Sequence, residues 1–271
     1  MPGDKVGLLG DVHGNRNWLL RALGVFARSG VDTLVQVGDL GVWPNGNDKR
    51  TFDLAERDLA KAGITMVVAP GNHEDYDQIE ALTPRSDGWL EYRPHILLAP
   101  RGLRTTLGGR SVLWLGGAGS VDRSWRLREE ERENAKSRRY GSSKRLKLWW
   151  EQEALTDADV ERSIAAGPVD LMVCHDAPAP VDGIARLTTR DTDQEDLDFA
   201  NESTRRLRQV VDAVQPKLLV HGHHHIRVES TYGSTLIRGL GTDGATDALA
   251  LLDLETWDVT YWDGGPRVRW A

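Results

Sequence analysis

Three short apolar runs, VGLL (6–9), TLVQVG (33–38) and ITMVVAPG (64–71), alternate with two amphipathic stretches in the first third of the chain. WLLRALGVFARSG (18–30) and TFDLAERDLAKAG (51–63) carry apolar side chains at helical spacing, and each closes on glycine. Strand–helix–strand–helix–strand order admits few folds, because consecutive strands must lie parallel with the helices crossing over the sheet. Beyond residue 95 the runs shorten to HILLA, LRTTLGGRSVLWLGG, DLMVCH, KLLVHGH, STLIRGL, ALALLDL and DVTYW, separated by turn residues such as GG. These predict hairpins in a mixed or antiparallel sheet. The total of about ten or eleven strands exceeds what one flat sheet holds without curling or splitting. The expected fold is therefore α/β: a two-sheet β-sandwich flanked by helices, layered αββα. Residues 119–165 are polar and helix-prone, and read as a helical insertion or cap within a single domain spanning 1–271.

The same runs end in ligand-type residues. GDVHGN places Asp11 and His13 beyond the first strand, GDLG places Asp39 beyond the second, and PGNHED places Asn72, His73 and Glu74 beyond the third. VCHDAP adds His175, and LLVHGHHH adds four histidines more. Seven of the eight histidines fall in these five segments, with His95 outside them. Open α/β sheets bind ligands at the carboxyl ends of their strands, so five runs aim polar groups at one edge. In an extended chain Asp11 and His13 share a side, as do His223 and His225, with His224 turned away. His221 has the same parity as 223 and 225 and stays open as an alternative. Carboxylate, imidazole and amide oxygen together suit Mn²⁺, Fe or Zn²⁺ rather than a thiolate-bound metal. Gly10, Gly38, Gly71 and Gly222 precede these residues, where the lack of a Cβ permits sharp strand-to-loop turns.

Composition narrows the class of function. No run approaches the ~18 apolar residues of a membrane span. The single cysteine, Cys174, cannot form an internal disulfide, and in the run LMVC it reads as a buried thiol of a cytoplasmic protein. The N-terminal MPGDKVGLLGDVHGN lacks the basic region and cleavage site of a signal peptide, which agrees with that location. A net charge of −7 argues against binding extended nucleic acid. The charge is uneven, however: residues 123–147 carry ten Lys/Arg against four Glu. That segment is either a solvated helix laced with i,i+4 pairs or a basic lid attracting an anionic substrate. Of ten tryptophans, Trp114, Trp125, Trp149 and Trp150 cluster in and around it, suited to packing or to stacking a nucleobase.

D-x-H, GD, GNH[D/E], a lone His after an apolar strand and GH-x-H, in that order from residue 10 to 225, resemble the calcineurin-like metallophosphoesterase family. The resemblance implies a two-sheet sandwich holding two divalent metal ions at the strand ends, Mn²⁺ favoured and Fe²⁺, Zn²⁺ or Co²⁺ compatible. By it, Asp11, His13, Asp39 and His225 would bind one ion. Asp39, Asn72, His175 and His223 would bind the other, Asp39 bridging, and His73 would face the leaving oxygen. Two cations ~3.5–4 Å apart hold an activated hydroxide and clamp the phosphoryl oxygens of an in-line displacement. A bridging carboxylate offsets their repulsion, and a free imidazole protonates the departing oxygen or stabilises its charge. Asp39 and His73 are thus the catalytic candidates.

LGGAGSVDRSWR resembles a segment of bacterial and phage members of the family. There Asp122, Arg123 and Arg126 are candidate substrate contacts, the arginines suiting phosphate oxygens, or else they cap and solvate a helix start. The block GDLGVWP departs from the GD-x-x-D-R-G of protein serine/threonine phosphatases, with Val42 in place of the second Asp. Those enzymes also lack GH-x-H, so protein phosphatase activity is disfavoured. If a carboxylate orients His73, Glu74, Asp75 and Asp176 are the candidates, and spacing selects none of them. The resemblance implies a phosphoester hydrolase in which a metal-bound hydroxide attacks, acting as a phosphodiesterase on small (cyclic) nucleotides. The alternatives are a phosphomonoesterase or nuclease on the same metals, or an inactive binding module. The last would show a broken ligand set, and all seven ligands and His73 are present.

Overall fold

A computed structural model describes residues 4–43, 49–141, 143, 145–184 and 192–262. In chain order it begins β1 (Lys5–Leu9), α1 (Arg16–Phe26), β2 (Thr33–Gln36), α2 (Lys49–Ala62) and β3 (Thr65–Val68). Then come α3 (Tyr76–Glu80), β4 (Leu90–Arg93), β5 (Ile96–Leu98), β6 (Leu103–Leu107) and β7 (Arg110–Leu115). Helices α4 (Arg123–Arg139) and α5 (Asp157–Ile164) precede β8 (Leu171–Cys174), and α6 (Gln194–Val214) precedes β9 (Leu218–His221). The chain continues through β10 (Val228–Tyr232), β11 (Thr235–Gly239), β12 (Leu249–Asp253) and β13 (Val259–Tyr261).

The strands form a seven-stranded sheet, ordered β13-β12-β1-β2-β3-β5-β4, and a six-stranded one, ordered β10-β11-β9-β8-β7-β6. Side-chain alternation along each strand builds the four layers. Val6, Leu8, Val35 and Val67 of the first sheet meet Trp114, Leu171, Val173, Leu218 and Val220 of the second in the inter-sheet core. The opposite faces, Leu9, Leu34 and Met66 in one sheet and Met172, Cys174 and Leu219 in the other, pack against helices. Phe26 of α1 lies so close to β1 that a Cβ at Gly7 would sit 2.8 Å from its ring. The αββα sandwich is therefore observed. Among the described residues no helix is long and apolar enough to cross a membrane.

Three readings are corrected, and the mixed sheet with hairpins expected beyond residue 95 is observed. Helix α1 ends at Phe26 rather than Gly30 and starts earlier, at Arg16, where the Asn15 side chain accepts from Trp18 N at 3.1 Å. In the second sheet β7, β8, β9 and β11 are parallel, and hairpins are confined to its edges, β6–β7 and β10–β11. The long connections between those strands are what permit parallel pairing. Edge strands β4 and β10, half exposed along their length, escape the apolar-run reading. So does α6, whose stripe of Leu207, Val210, Val211 and Val214 occupies only its C-terminal half.

The polar segment 119–165 falls within the crossover from β7 to its parallel neighbour β8. Its second half joins the outer layer, with Leu155 packed beside Leu207 and Val211 of α6. Helix α4 carries i,i+3 pairs, Lys136 with Glu133 at 2.6 Å and Arg132 with Glu129, and an i,i+4 pair from its N-cap, Asp122 with Arg126 at 2.9 Å.

Candidate metal centre

Strands β1, β2 and β3 run parallel in one sheet and β8, β9 and β11 in the other, so their carboxyl ends open on a common edge. Asp11 and His13 follow β1, Asp39 follows β2, Asn72 and His73 follow β3, His175 follows β8, and His223 and His225 follow β9. Donor atoms of Asp11, His13, Asp39 and His225 all lie within 4.8 Å of one another. A second group surrounds Asn72, whose Oδ1 is 2.9 Å from His175 Nε2 and 3.1 Å from His223 Nδ1. Asp39 touches both groups: Oδ2 is 3.3 Å from His13 Nε2, and Oδ1 is 3.4 Å from His175 Nε2.

The loops carrying these groups are tied to each other through the backbone. Val12 N and His13 N both donate to Asp39 O, at 2.9 and 2.7 Å. His73 N donates to Asp39 Oδ1 at 2.8 Å, and His223 N donates to Asp11 Oδ2 at 3.1 Å. Two glycines are needed for close approach rather than for turning: a Cβ at Gly71 would overlap Asp39 Oδ1, and one at Gly222 would overlap Asp11 Oδ1. Gly38 does turn sharply, at φ +107°.

Extended alternation is not what aligns the side chains. His13, Asp39, His223 and His225 have φ of 47°, 53°, 63° and 58°, all left-handed. Non-glycine residues held there cost about 1–3 kcal/mol each and concentrate at functional sites. The tight turns bring His223 to Asn72 and His225 Nε2 within 3.1 Å of Asp11 Oδ2. They send His224 to Asp176 Oδ1, 3.1 Å away. His221 is fully buried, its Nδ1 2.9 Å from Gly222 O, and is not among the converging donors. His95 lies at the other end of β3, paired with Glu56 at 2.6 Å.

Electrostatics centre on Asp39. Burial opposes its ionisation, but His175, His73 and His13 hold its carboxyl well below the usual range. In turn, and against burial, Asp39 raises His175 to about 10 and His13 to about 9. Burial pushes His223 down to about 3, leaving a neutral imidazole with a lone pair to offer. The donor set fits divalent cations. Metal–ligand bonds of ~2.1 Å put ligand atoms roughly 3–4.2 Å apart, so four donors within 4.8 Å need contract only slightly around an ion.

None of the three carboxylates considered for His73 touches its ring. Glu74 accepts from Leu40 N, Gly41 N and Val42 N at 2.6, 3.2 and 2.7 Å, and Asp75 caps α3 through Gln78 N. Asp176 is engaged by His224 and by Thr204 Oγ1 at 2.7 Å. The ring partner is Arg126, whose Nη2 donates to His73 Nε2 at 3.0 Å. That guanidinium is buried, 3% exposed, and also meets Asp122, Ser120, Glu153 and the Asn72 carbonyl. Arg123 contacts α6 instead, bonded to Asp196 at 3.2 Å and over the Phe199 ring at 5.0 Å. Of the four tryptophans, Trp114 and Trp150 are buried and Trp149 packs on Phe199, whereas Trp125 is 56% exposed.

Sequence reading missed contributors on two loops. Thr242 and Asp243 follow β11 and approach His13 Nδ1 at 3.2 and 3.5 Å. Ser120 accepts from Asn72 Nδ2 at 2.8 Å and so turns the amide oxygen toward His175 and His223. A polar strand end, GTDG after LIRGL, was the available signal for the first. Ser120 lies in the block LGGAGSVDRSWR, where the sequence reading singles out only Asp122, Arg123 and Arg126.

No curated protein matches the sequence. Among solved structures, TT1561 of Thermus thermophilus superimposes with a TM-score of 0.54 at 13% identity, covering 94% of this chain and 97% of the other. A dimetal phosphatase from Danio rerio gives 0.51 at 15% identity, covering 94% and 93%. At such identities these likenesses concern the fold. The profile of the calcineurin-like phosphoesterases matches residues 4–227, a span that holds all seven candidate ligands and His73, and the chain belongs to that family.

Proposed function

We propose that this protein is a dinuclear metal-dependent phosphoester hydrolase, a phosphodiesterase acting on small nucleotides, cyclic ones included. One observation carries the dinuclear reading: the two oxygens of Asp39 face different donor groups, His13 on one side and His175 on the other. Asp11, His13, Asp39 and His225 would hold one ion, and Asp39, Asn72, His175 and His223 would hold the second, with Mn²⁺ favoured. Bound divalent ions would supply Lewis acidity toward phosphoryl oxygens and lower the pKa of the attacking water.

The chain's own residues do the rest. Asp39 offsets the charge of both ions, and the backbone bonds from Val12, His13 and His73 fix where its carboxylate points. His73 stands beside the centre, its ring 5.6 Å from that of His13, and meets the leaving oxygen. Diester preference is supported by the GH-x-H closure and by the basic α4 beside His73. Nucleotide preference is supported by Trp125, an exposed indole one residue from Arg126 and able to stack a base.

The test is a panel of phosphomonoesters, cyclic diesters and linear diesters, assayed after chelator treatment with and without added Mn²⁺. Diester hydrolysis that disappears with chelator and returns with Mn²⁺ is expected. Turnover of monoesters alone would overturn the diester assignment, and full activity in metal-free protein would overturn the metal chemistry.

A further inference from the structure

The buried cluster of Ser120, Arg126 and Glu153 belongs to the β7–β8 crossover, and outside that connection its side chains grip the Asn72–His73 loop. Ser120 is 1% exposed, Arg126 3% and Glu153 0%. Arg126 Nη2 donates to His73 Nε2 at 3.0 Å and to Ser120 Oγ at 2.9 Å, while Nη1 reaches Asn72 O at 3.2 Å. Glu153 Oε2 lies 3.4 Å from Nη1, and its Oε1 accepts from Ser120 N at 2.9 Å. Asp122 supplies a second carboxylate to Nη2 at 2.9 Å. The guanidinium thus spans two carboxylates, one hydroxyl, one carbonyl and one imidazole.

We infer that Arg126 is the positioning residue for His73, and that Ser120 is the positioning residue for Asn72, so that the crossover is a strut of the reaction centre. An arginine donates and never accepts, so Nε2 of His73 must be the accepting nitrogen and the ring proton sits on Nδ1. That assigns His73 a fixed tautomer, with a single N–H to present to the departing oxygen. Ser120 acts at a different atom. Its bond to Nδ2 fixes which end of the Asn72 amide faces His175 and His223, and a flipped amide would present N–H groups where an oxygen donor is required. Buried as it is, with both terminal nitrogens engaged by these partners, Arg126 acts through His73 rather than on phosphate. The inference rests on the function proposed above for the effect on turnover, and on geometry alone for the tautomer.

Two measurements test it. In metal-free protein, nitrogen-15 shifts of the His73 ring should show an accepting Nε2 and a protonated Nδ1 in the wild type, and Arg126→Met should lose that pattern. In Mn²⁺-loaded protein Arg126→Met should lower kcat ~10²-fold, the usual cost of misplacing a reacting group. KM should move less than about threefold, with both ions retained, and Arg126→Lys should recover part of the loss. Ser120→Ala should instead weaken binding of one Mn²⁺ by ~10–100-fold, the range for a group that orients a ligand. Should Arg126→Met unfold because Glu153 is left unpaired, the double change Arg126→Met/Glu153→Gln removes that charge. A KM raised tenfold or more with kcat intact would make Arg126 a substrate-binding group and overturn the inference. An unchanged His73 pattern would overturn it as well. Wild-type protein inactive on every phosphoester would sink the proposed function, while the metal-free spectra would still decide the role of Arg126.

Discussion

Glu74 and Asp75 are adjacent acidic residues that hold different things, and replacing each by alanine separates a strut of the metal centre from a helix cap. Glu74 is 1% exposed and receives three backbone N–H groups, from Leu40, Gly41 and Val42, immediately after Asp39. Hydrogen bonds to a charged group contribute ~1.5–3 kcal/mol each, or about 4–9 kcal/mol for three. Burial, with the Asp39 charge adding to it, raises the Glu74 carboxyl from 4.5 to about 7. At ~1.4 kcal/mol per pH unit that offsets roughly 3 kcal/mol. Glu74→Ala should therefore cost about 3–5 kcal/mol, since it also leaves buried N–H groups unpaired. Asp75→Ala removes the cap of a five-residue helix and should cost ~1 kcal/mol. Because the folded pKa of Glu74 lies above its unfolded value, its favourable term is complete below 4.5 and is lost as pH rises through about 7. Glu74→Gln should flatten that slope in metal-free protein. Urea unfolding followed by tryptophan fluorescence gives the stabilities, and calorimetric Mn²⁺ titration gives the consequence for Asp39. If Glu74→Ala costs no more than Asp75→Ala and leaves Mn²⁺ affinity unchanged, the reasoning fails.

The remaining predictions concern the centre and one distant clip. His223→Ala or His225→Ala should each strip metal and abolish turnover, while His224→Ala should keep both ions and lose ~1–2 kcal/mol through one lost bond to the buried Asp176, which keeps Thr204 and Ala177 N; equal metal loss from all three would refute the assignment. Asp39→Asn should weaken binding of both ions together, and metal analysis with two ions at unchanged affinity would remove its bridging role. Far from the centre, Lys217 and then Ser111 lower the Asp170 carboxyl from 3.8 to about 2. Its contribution is present above 3.8 and disappears as pH falls through about 2, so Asp170→Asn should cost ~1 kcal/mol at neutral pH, after discounting for solvent screening, and flatten the acid limb of the unfolding curve.

The strand-end residues were legible because a parallel sheet forces consecutive carboxyl ends onto one edge, whatever lies between. Asp11, Asp39, Asn72 and His175 needed only their place after an apolar run. The αββα layering followed equally from strand count and helix alternation. What the sequence concealed are relations between loops. Extended parity selected His223 and His225 and set His224 aside, but left-handed turns at 58–63° in φ, made possible by contacts to Asp11 and Asn72, are what place them. The partner of His73 was sought among nearby carboxylates and is an arginine 53 residues away. Ser120 reaches Asn72 across 48 residues. Local spacing determines which face of its own element a side chain takes. The meeting of two loops from different sheets depends on how those sheets pack, and packing is settled by the inter-sheet core of Leu8, Val35, Trp114, Val173 and Val220, whose side chains carry no information about which polar groups will converge above them.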